Sequence, residues 1–205
     1  RVAAGIEREG SDPTRVTANF QFQNDPMYEG LAYLANSGFF EPRLASWEVS
    51  EDLSTWTWHL RDDVIWHRGF GKFTAQDLLF SVQKRIENES LSPYVDLYKS
   101  LTEEDGIDVV DDHTVVYTSA PKIDWWAVEN DDLYHAILSK AHFDAEGQEG
   151  IENSPVGTGP YQFVERVLGT SLLFERVPYE HWRVTPDFEE IMLLKVDEAS
   201  TRLAM

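Results

Sequence analysis

Apolar and polar residues alternate strictly from Thr55 to Leu60, T-W-T-W-H-L, so Trp56, Trp58 and Leu60 share one face of a strand and Thr55, Thr57 and His59 the other. At Thr74 the period becomes helical. Ala75, Leu78, Leu79, Val82 and Ile86 then fall on one stripe that must be buried. Thr74, with Asp77 at the third position, has the form of a capping box whose carboxylate also meets the positive end of the helix dipole. Residues 107–117 read as a β-hairpin around Asp111-Asp112-His113, and residues 161–168 and 172–177 as a second hairpin around Gly169-Thr170. Residues 189–196 alternate as a further strand, residues 2–6 form a short first strand, and Ser11-Asp12-Pro13-Thr14 is turn chemistry. A helix is predicted from Asp25-Pro26, carrying Met27, Leu31 and Leu34 inward until Ser37-Gly38 interrupts it. Shorter helices are predicted after Ser92-Pro93 (with Tyr94, Leu97, Tyr98 and Leu101 on one side), over residues 122–130 and over residues 139–145. Residues 147–160, with four Gly and two Pro, read as loop. The order of elements indicates an α+β fold with mixed sheets and flanking helices rather than a doubly wound nucleotide fold.

Composition narrows the function more than the fold. A chain of 205 residues, 42% hydrophobic, can bury one large core with a satellite. It contains no run of eighteen apolar residues, and its first ten residues lack the apolar centre of a signal peptide. With no cysteine, disulfides and thiolate metal sites are excluded. Asp and Glu outnumber Lys and Arg 37 to 17, a net charge of −20, which opposes nucleic-acid binding and favours a solvated acidic surface.

Catalytic and metal chemistry find little support. His59 and His67 are eight residues apart, His113, His135, His142 and His181 are scattered, and no pair has the i, i+4 spacing of a helical zinc site. The serines lack a nucleophile-elbow context, and acid pairs such as Asp62-Asp63 and Asp131-Asp132 stand in turns. Gly157-Thr158-Gly159-Pro160 runs into a strand, so it has no helix N-terminus to hold a phosphate. No catalytic residue, metal ligand or cofactor is therefore expected, and the chain reads as non-enzymatic. The seven tryptophans and eight tyrosines are the stronger functional candidates, as walls of side-chain pockets or stacking surfaces for a sugar.

Several stretches resemble one family. Residues 44–85 read L-A-S-W-E-V-S-E-D-L-S-T-W-T-W-H-L-R-D-D-V-I-W-H-R-G-F-G-K-F-T-A-Q-D-L-L-F-S-V-Q-K-R. This is similar to the pattern of the solute-binding proteins of ATP-driven importers, family 5, which includes dipeptide-, oligopeptide- and nickel-binding proteins. Val110-Asp111-Asp112-His113-Thr114-Val115, Gly157-Thr158-Gly159-Pro160-Tyr161, Asp12-Pro13 and Tyr28-Glu29-Gly30-Leu31 resemble further motifs of the family, in the right order. The resemblance implies the periplasmic-binding-protein-like fold, type II of the large cluster C. Because members are more than twice as long, the chain is expected to be an N-terminal fragment of lobe I with the second lobe missing. Residues 1–43 would begin the ligand-facing subdomain, 44–153 would form an outer subdomain, and 154–205 would return to the first.

The same resemblance implies a substrate-binding component of an importer, periplasmic or extracellular, with a lipid anchor on a preceding N-terminus as one form. It would pass its solute, most simply a peptide, to membrane permease subunits. An oligosaccharide or nickel chelate is the alternative within the family, and a free-standing carbohydrate-binding module the alternative outside it. Trp47, Trp56, Trp58 and Trp66 belong to the shared scaffold and are expected in the core. The ligand contacts expected are Tyr94 of Ser92-Pro93-Tyr94, Asn19 and Phe20 after the Asp12-Pro13 turn, Trp125 after Pro121, and Tyr161 after the glycine turn.

Overall fold

The computed structural model describes residues 2–4, 10–15, 21–88, 98–99, 106–118, 136–196 and 198. Two four-stranded sheets draw on different parts of the chain. The first joins β4 (Ala45–Val49), β5 (Thr55–Leu60), β7 (Thr114–Thr118) and β6 (Ile107–Asp111), in that order and all antiparallel. The second places β10 (Glu190–Lys195) between β1 (Val2–Ala4), to which it runs parallel, and the hairpin of β9 (Ser171–Arg176) and β8 (Tyr161–Val167). β2 (Ala32–Leu34) and β3 (Phe40–Pro42) form a separate two-stranded ribbon. Among the described residues, the longer runs of α-helix are α1 (Gln21–Asn24), α2 (Ala75–Glu87) and α3 (Lys140–Asn153).

The period-two face of β5 is buried as its alternation requires. Trp56, Trp58 and Leu60 are 4%, 2% and 6% exposed, and the Trp58 ring lies 5.6 Å from Trp47, 6.3 Å from Trp56 and 6.1 Å from Tyr117. This aromatic core also takes in Leu44, Val64, Trp66, Phe73, Leu78 and Val82. A smaller core under the second sheet gathers Met27, Tyr28, Phe80, Leu138, Ile151, Tyr161, Leu172, Phe174 and Leu193. α2 serves both, giving Leu78 and Val82 to one and Phe80 to the other. It is consequently covered more widely than a single stripe predicts: Ser81, Lys84 and Arg85 are buried too, while Leu79 is half-buried.

Asp77 ties the start of α2 to its surroundings. Its carboxylate accepts the Thr74 N–H at 2.9 Å, which is the reciprocal half of the expected capping box. It also accepts the Trp66 indole N–H at 3.2 Å and the Lys140 N–H, at the start of α3, at 2.8 Å. Burial raises its pKa against the pull of these hydrogen bonds. One turn later, the Ser81 hydroxyl donates to the Asp77 carbonyl and accepts the Leu138 N–H, while Arg85 donates to the carbonyls of Ser81 and Ala136.

Two elements differ from the periodicity. Residues 25–36 do not form a helix: residues 25–27 turn and Ala32–Leu34 is a strand. The 4-and-3 spacing of Met27, Leu31 and Leu34 suits a helix, but the Leu31 carbonyl instead accepts the N–H of both Arg43 and Ala45. Gly38, at φ +81°, lets the chain reverse between β2 and β3. The helix expected over residues 139–145 runs on through Asn153, so the loop shrinks to residues 154–160. Gly147 does not end it but kinks it, with φ +67° and ψ −162°. The helix expected over residues 122–130 lies outside the described residues. So does most of the one after Ser92-Pro93, of which the helical and buried Tyr98 is described.

Trp58→Ala should lower unfolding stability by about 3–5 kcal/mol, because the cavity cannot be closed by three other packed aromatic rings. Denaturant titration of the variant against the parent protein checks this, and a loss below about 1 kcal/mol would contradict the assignment.

Candidate functional site

The two cores meet at residues 157–161, where Gly157 and Gly159 pass too close to residues 26–27 to carry side chains. A Cβ on Gly157 would lie 1.9 Å from the Met27 carbonyl oxygen, and one on Gly159 would lie 2.7 Å from that of Pro26. Glycine is required at both positions by space, not by backbone angle. The approach is used for hydrogen bonding: the Gly159 N–H donates to the Met27 carbonyl at 2.8 Å, the Tyr161 N–H to the Pro26 carbonyl at 3.1 Å, and the His67 N–H to the Gly157 carbonyl at 3.0 Å.

Two buried histidines grip the same turn. His67 Nε2 is 2.8 Å from the Gly159 carbonyl, and its Nδ1 accepts the Gly157 N–H at 3.3 Å. His181 Nε2 is 3.0 Å from the Thr158 carbonyl, and its Nδ1 accepts the N–H groups of Arg183 and Val184, each at 3.3 Å. A carbonyl at Nε2 and N–H donors at Nδ1 are both satisfied only by the neutral ring with its proton on Nε2. For His67, burial pushes the pKa down to about 4, although the Gly159 carbonyl and the Glu29 charge pull the other way.

Glu29, 1% exposed, completes the cluster. Its carboxylate accepts from the Thr158 hydroxyl at 3.2 Å, the Trp182 indole at 3.1 Å, and Arg183 Nε and Nη2 at 3.1 and 3.0 Å. Burial works against its charge, but the His181 contact and the Arg183 guanidinium hold its pKa below the ordinary range. Arg61 stacks over the Trp182 ring at 4.2 Å and pairs in bidentate fashion with Asp63, closing the outer side.

Behind His181, residues 175–190 enclose an open hollow of about 640 Å³ whose walls include Val177, Pro178, Tyr179, Val184 and Pro186. The Tyr179 phenol is pushed up to about 12 by burial and by the Glu29 charge. At the other end of the smaller core, Asp12 of the Asp12-Pro13 motif is wholly buried and accepts from the Thr14 N–H at 2.8 Å, the Thr14 hydroxyl at 2.7 Å and Gln148 Nε2 at 2.6 Å. Among the described residues, no group of three or more His, Asp or Glu side chains is placed to hold a metal ion.

Of the contacts expected from sequence, Asn19, Phe20, Tyr94 and Trp125 lie outside the described residues. Tyr161 is described. It is 7% exposed, its ring belongs to the smaller core, and its hydroxyl donates to the Phe188 carbonyl at 3.0 Å. Sequence reading missed Glu29, His67, His181 and Arg183. The one available sign was a carboxylate set between Tyr28 and the apolar Leu31, where an acid is buried only if partnered.

Gly157→Ala should destabilise the protein by at least about 2 kcal/mol, since the added methyl must displace backbone rather than a flexible side chain. Ala at Gly169, where φ is +66° and nothing lies within 4 Å, should cost about 1 kcal/mol through backbone strain alone. Thermal melts of the two variants check the order, and equal losses would refute the close-approach argument.

The family model of bacterial extracellular solute-binding proteins, family 5 Middle, matches residues 40–205. The di/tripeptide-binding protein 2 of Pseudomonas aeruginosa is 28% identical over 90% of this chain and 38% of its own length. In structure, Haemophilus influenzae OppA in complex with the peptide RPPGFSPFR matches 99% of this chain and 43% of its own with a TM-score of 0.82 at 24% identity. NikZ of Campylobacter jejuni in complex with Ni(L-His) matches 99% of this chain and 40% of its own with a TM-score of 0.80 at 23% identity. The two structural matches concern the fold, and the chain spans about 40% of the length of these relatives. Because the family model covers well over half of its residues, the chain belongs to the bacterial extracellular solute-binding proteins of family 5.

Proposed function

We propose that this chain belongs to the substrate-binding component of an ATP-driven importer, which closes two lobes on a solute and delivers it to membrane permease subunits. Family membership carries the reading. The side chains of the turn support it: Glu29, His67 and His181 direct their hydrogen bonds to backbone groups and to Thr158, Trp182 and Arg183, as scaffold groups do. A peptide is the ligand class proposed, in keeping with the names of the Pseudomonas and Haemophilus relatives. A nickel chelate is the second reading, favoured by the likeness to the Ni(L-His) complex. The site of action proposed is the periplasm or cell exterior.

Asn19, Phe20, Tyr94 and Trp125 are the proposed ligand contacts from this lobe; Tyr161, also expected as one, packs in the smaller core with its hydroxyl on the Phe188 carbonyl. Closure on the ligand is favoured by contacts made only in the closed state. Micromolar affinity corresponds to about −8 kcal/mol, within reach of a few pocket contacts.

The full-length protein, purified without denaturation and examined by native mass spectrometry, should carry a peptide mass that is lost on unfolding. Titration calorimetry with tri-alanine and with Ni(L-His) separates the two ligand classes. With the ligand so identified, Tyr94→Ala should weaken binding by about 1–3 kcal/mol while leaving the melting temperature closer to the parent than Trp58→Ala does. Absence of binding to either probe, with no retained ligand, would overturn the proposal.

A further inference from the structure

The turn at residues 157–161 joins segments far apart in sequence through hydrogen bonds that depend on the charge state of an imidazole. His67 holds both limbs of the turn, accepting from Gly157 and donating to Gly159. His181 holds the intervening Thr158 carbonyl and, through Nδ1, the N–H groups of Arg183 and Val184, so the loop lining the hollow hangs from the same turn. A proton added to Nδ1 of His67 would point at the Gly157 N–H, setting donor against donor. The ring is fully buried.

We propose that His67 makes residues 157–161 an acid-release latch: protonation of its ring frees the turn from residues 26–27 and loosens the loop of residues 177–186 that hangs from it through His181.

The charged groups around the latch set its direction. Glu29, from the segment before β2, favours a protonated His67, and a charge on His181 would oppose it. The Glu29 charge is itself committed to its His181 contact and to Arg183, with Arg43 also acting on it, and Tyr179 feels it from the hollow. Burial of His67 outweighs the remaining attraction, so the folded pKa of about 4 lies below the ordinary 6.5. Between those values the opened state binds a proton that the closed state refuses, so closure is fully favoured above about pH 6.5 and is lost as pH falls toward 4. Glu29, whose folded pKa is also lowered, acts in the same sense, since its contribution fades as the carboxyl is protonated.

The test uses the full-length protein and two readouts. Selective ¹⁵N-histidine NMR should show His67 as the neutral Nε2–H tautomer at pH 7 and still largely neutral at pH 5. Hydrogen exchange, corrected for intrinsic rates, should show residues 155–161 and 177–186 losing protection by a factor on the order of 50 between pH 7 and pH 4.5, relative to α2. His67→Gln, whose carboxamide offers N–H donors and a carbonyl acceptor but does not titrate, should keep protection within about threefold over that range. A His67 ring titrating near 6.5, an Nδ1–H tautomer at neutral pH, or an equal loss in His67→Gln would each overturn the latch. Should that variant fail to fold, the tautomer and titration of the parent protein decide alone.

Discussion

The close passage of Gly157 and Gly159 over the carbonyls of residues 26 and 27 is the constraint on which this lobe depends. Four stretches converge there: residues 26–29, His67 beyond the aromatic core, the glycine turn itself, and residues 181–184. Each brings buried polar groups that would each cost about 1–3 kcal/mol if unpaired, and each is paired by another of the four. The cluster is therefore all-or-none in character. Removing one partner exposes the desolvation penalty of the others, which is why an acid as deeply buried as Glu29 coexists with two neutral histidines.

Around this junction the two cores are held by α2, which gives side chains to both. Asp77 fixes where α2 begins relative to Trp66 and to the start of α3, and Arg85 fixes its far end against the carbonyls of Ser81 and Ala136. The aromatic sheet thus cannot shift against the second sheet without breaking hydrogen bonds at both ends of one helix.

Local order was legible in the sequence, and the junction was not. The alternation of Trp56, Trp58 and Leu60, the Thr74 cap and the hairpins around Asp111-Asp112-His113 and Gly169-Thr170 appear where periodicity and turn chemistry place them. The region around Leu31 was misread because spacing alone cannot choose between a helix and a short strand whose carbonyl is claimed by Arg43 and Ala45. The four glycines and two prolines of residues 147–160 suggest loop, whereas α3 absorbs Gly147 as a kink and runs on to Asn153. Glu29 meets Thr158 across 129 residues and Arg183 across 154, separations at which no local pattern survives. The motifs shared with the family, by contrast, proved to be joints of the scaffold, so resemblance reached the fold more surely than the ligand.

The separation of those partners also orders how the lobe can assemble. The hairpins β4–β5, β6–β7 and β8–β9 pair strands joined by short turns, and each can form as soon as its own residues are available. The junction closes a loop of 129 residues, whose entropy must be met before any of its buried hydrogen bonds is gained. In a chain made or exported from the N-terminus, residues 26–29 keep their acid in water until the glycine turn arrives. Closure of the turn is then the step that converts separately formed hairpins into a single cooperative body.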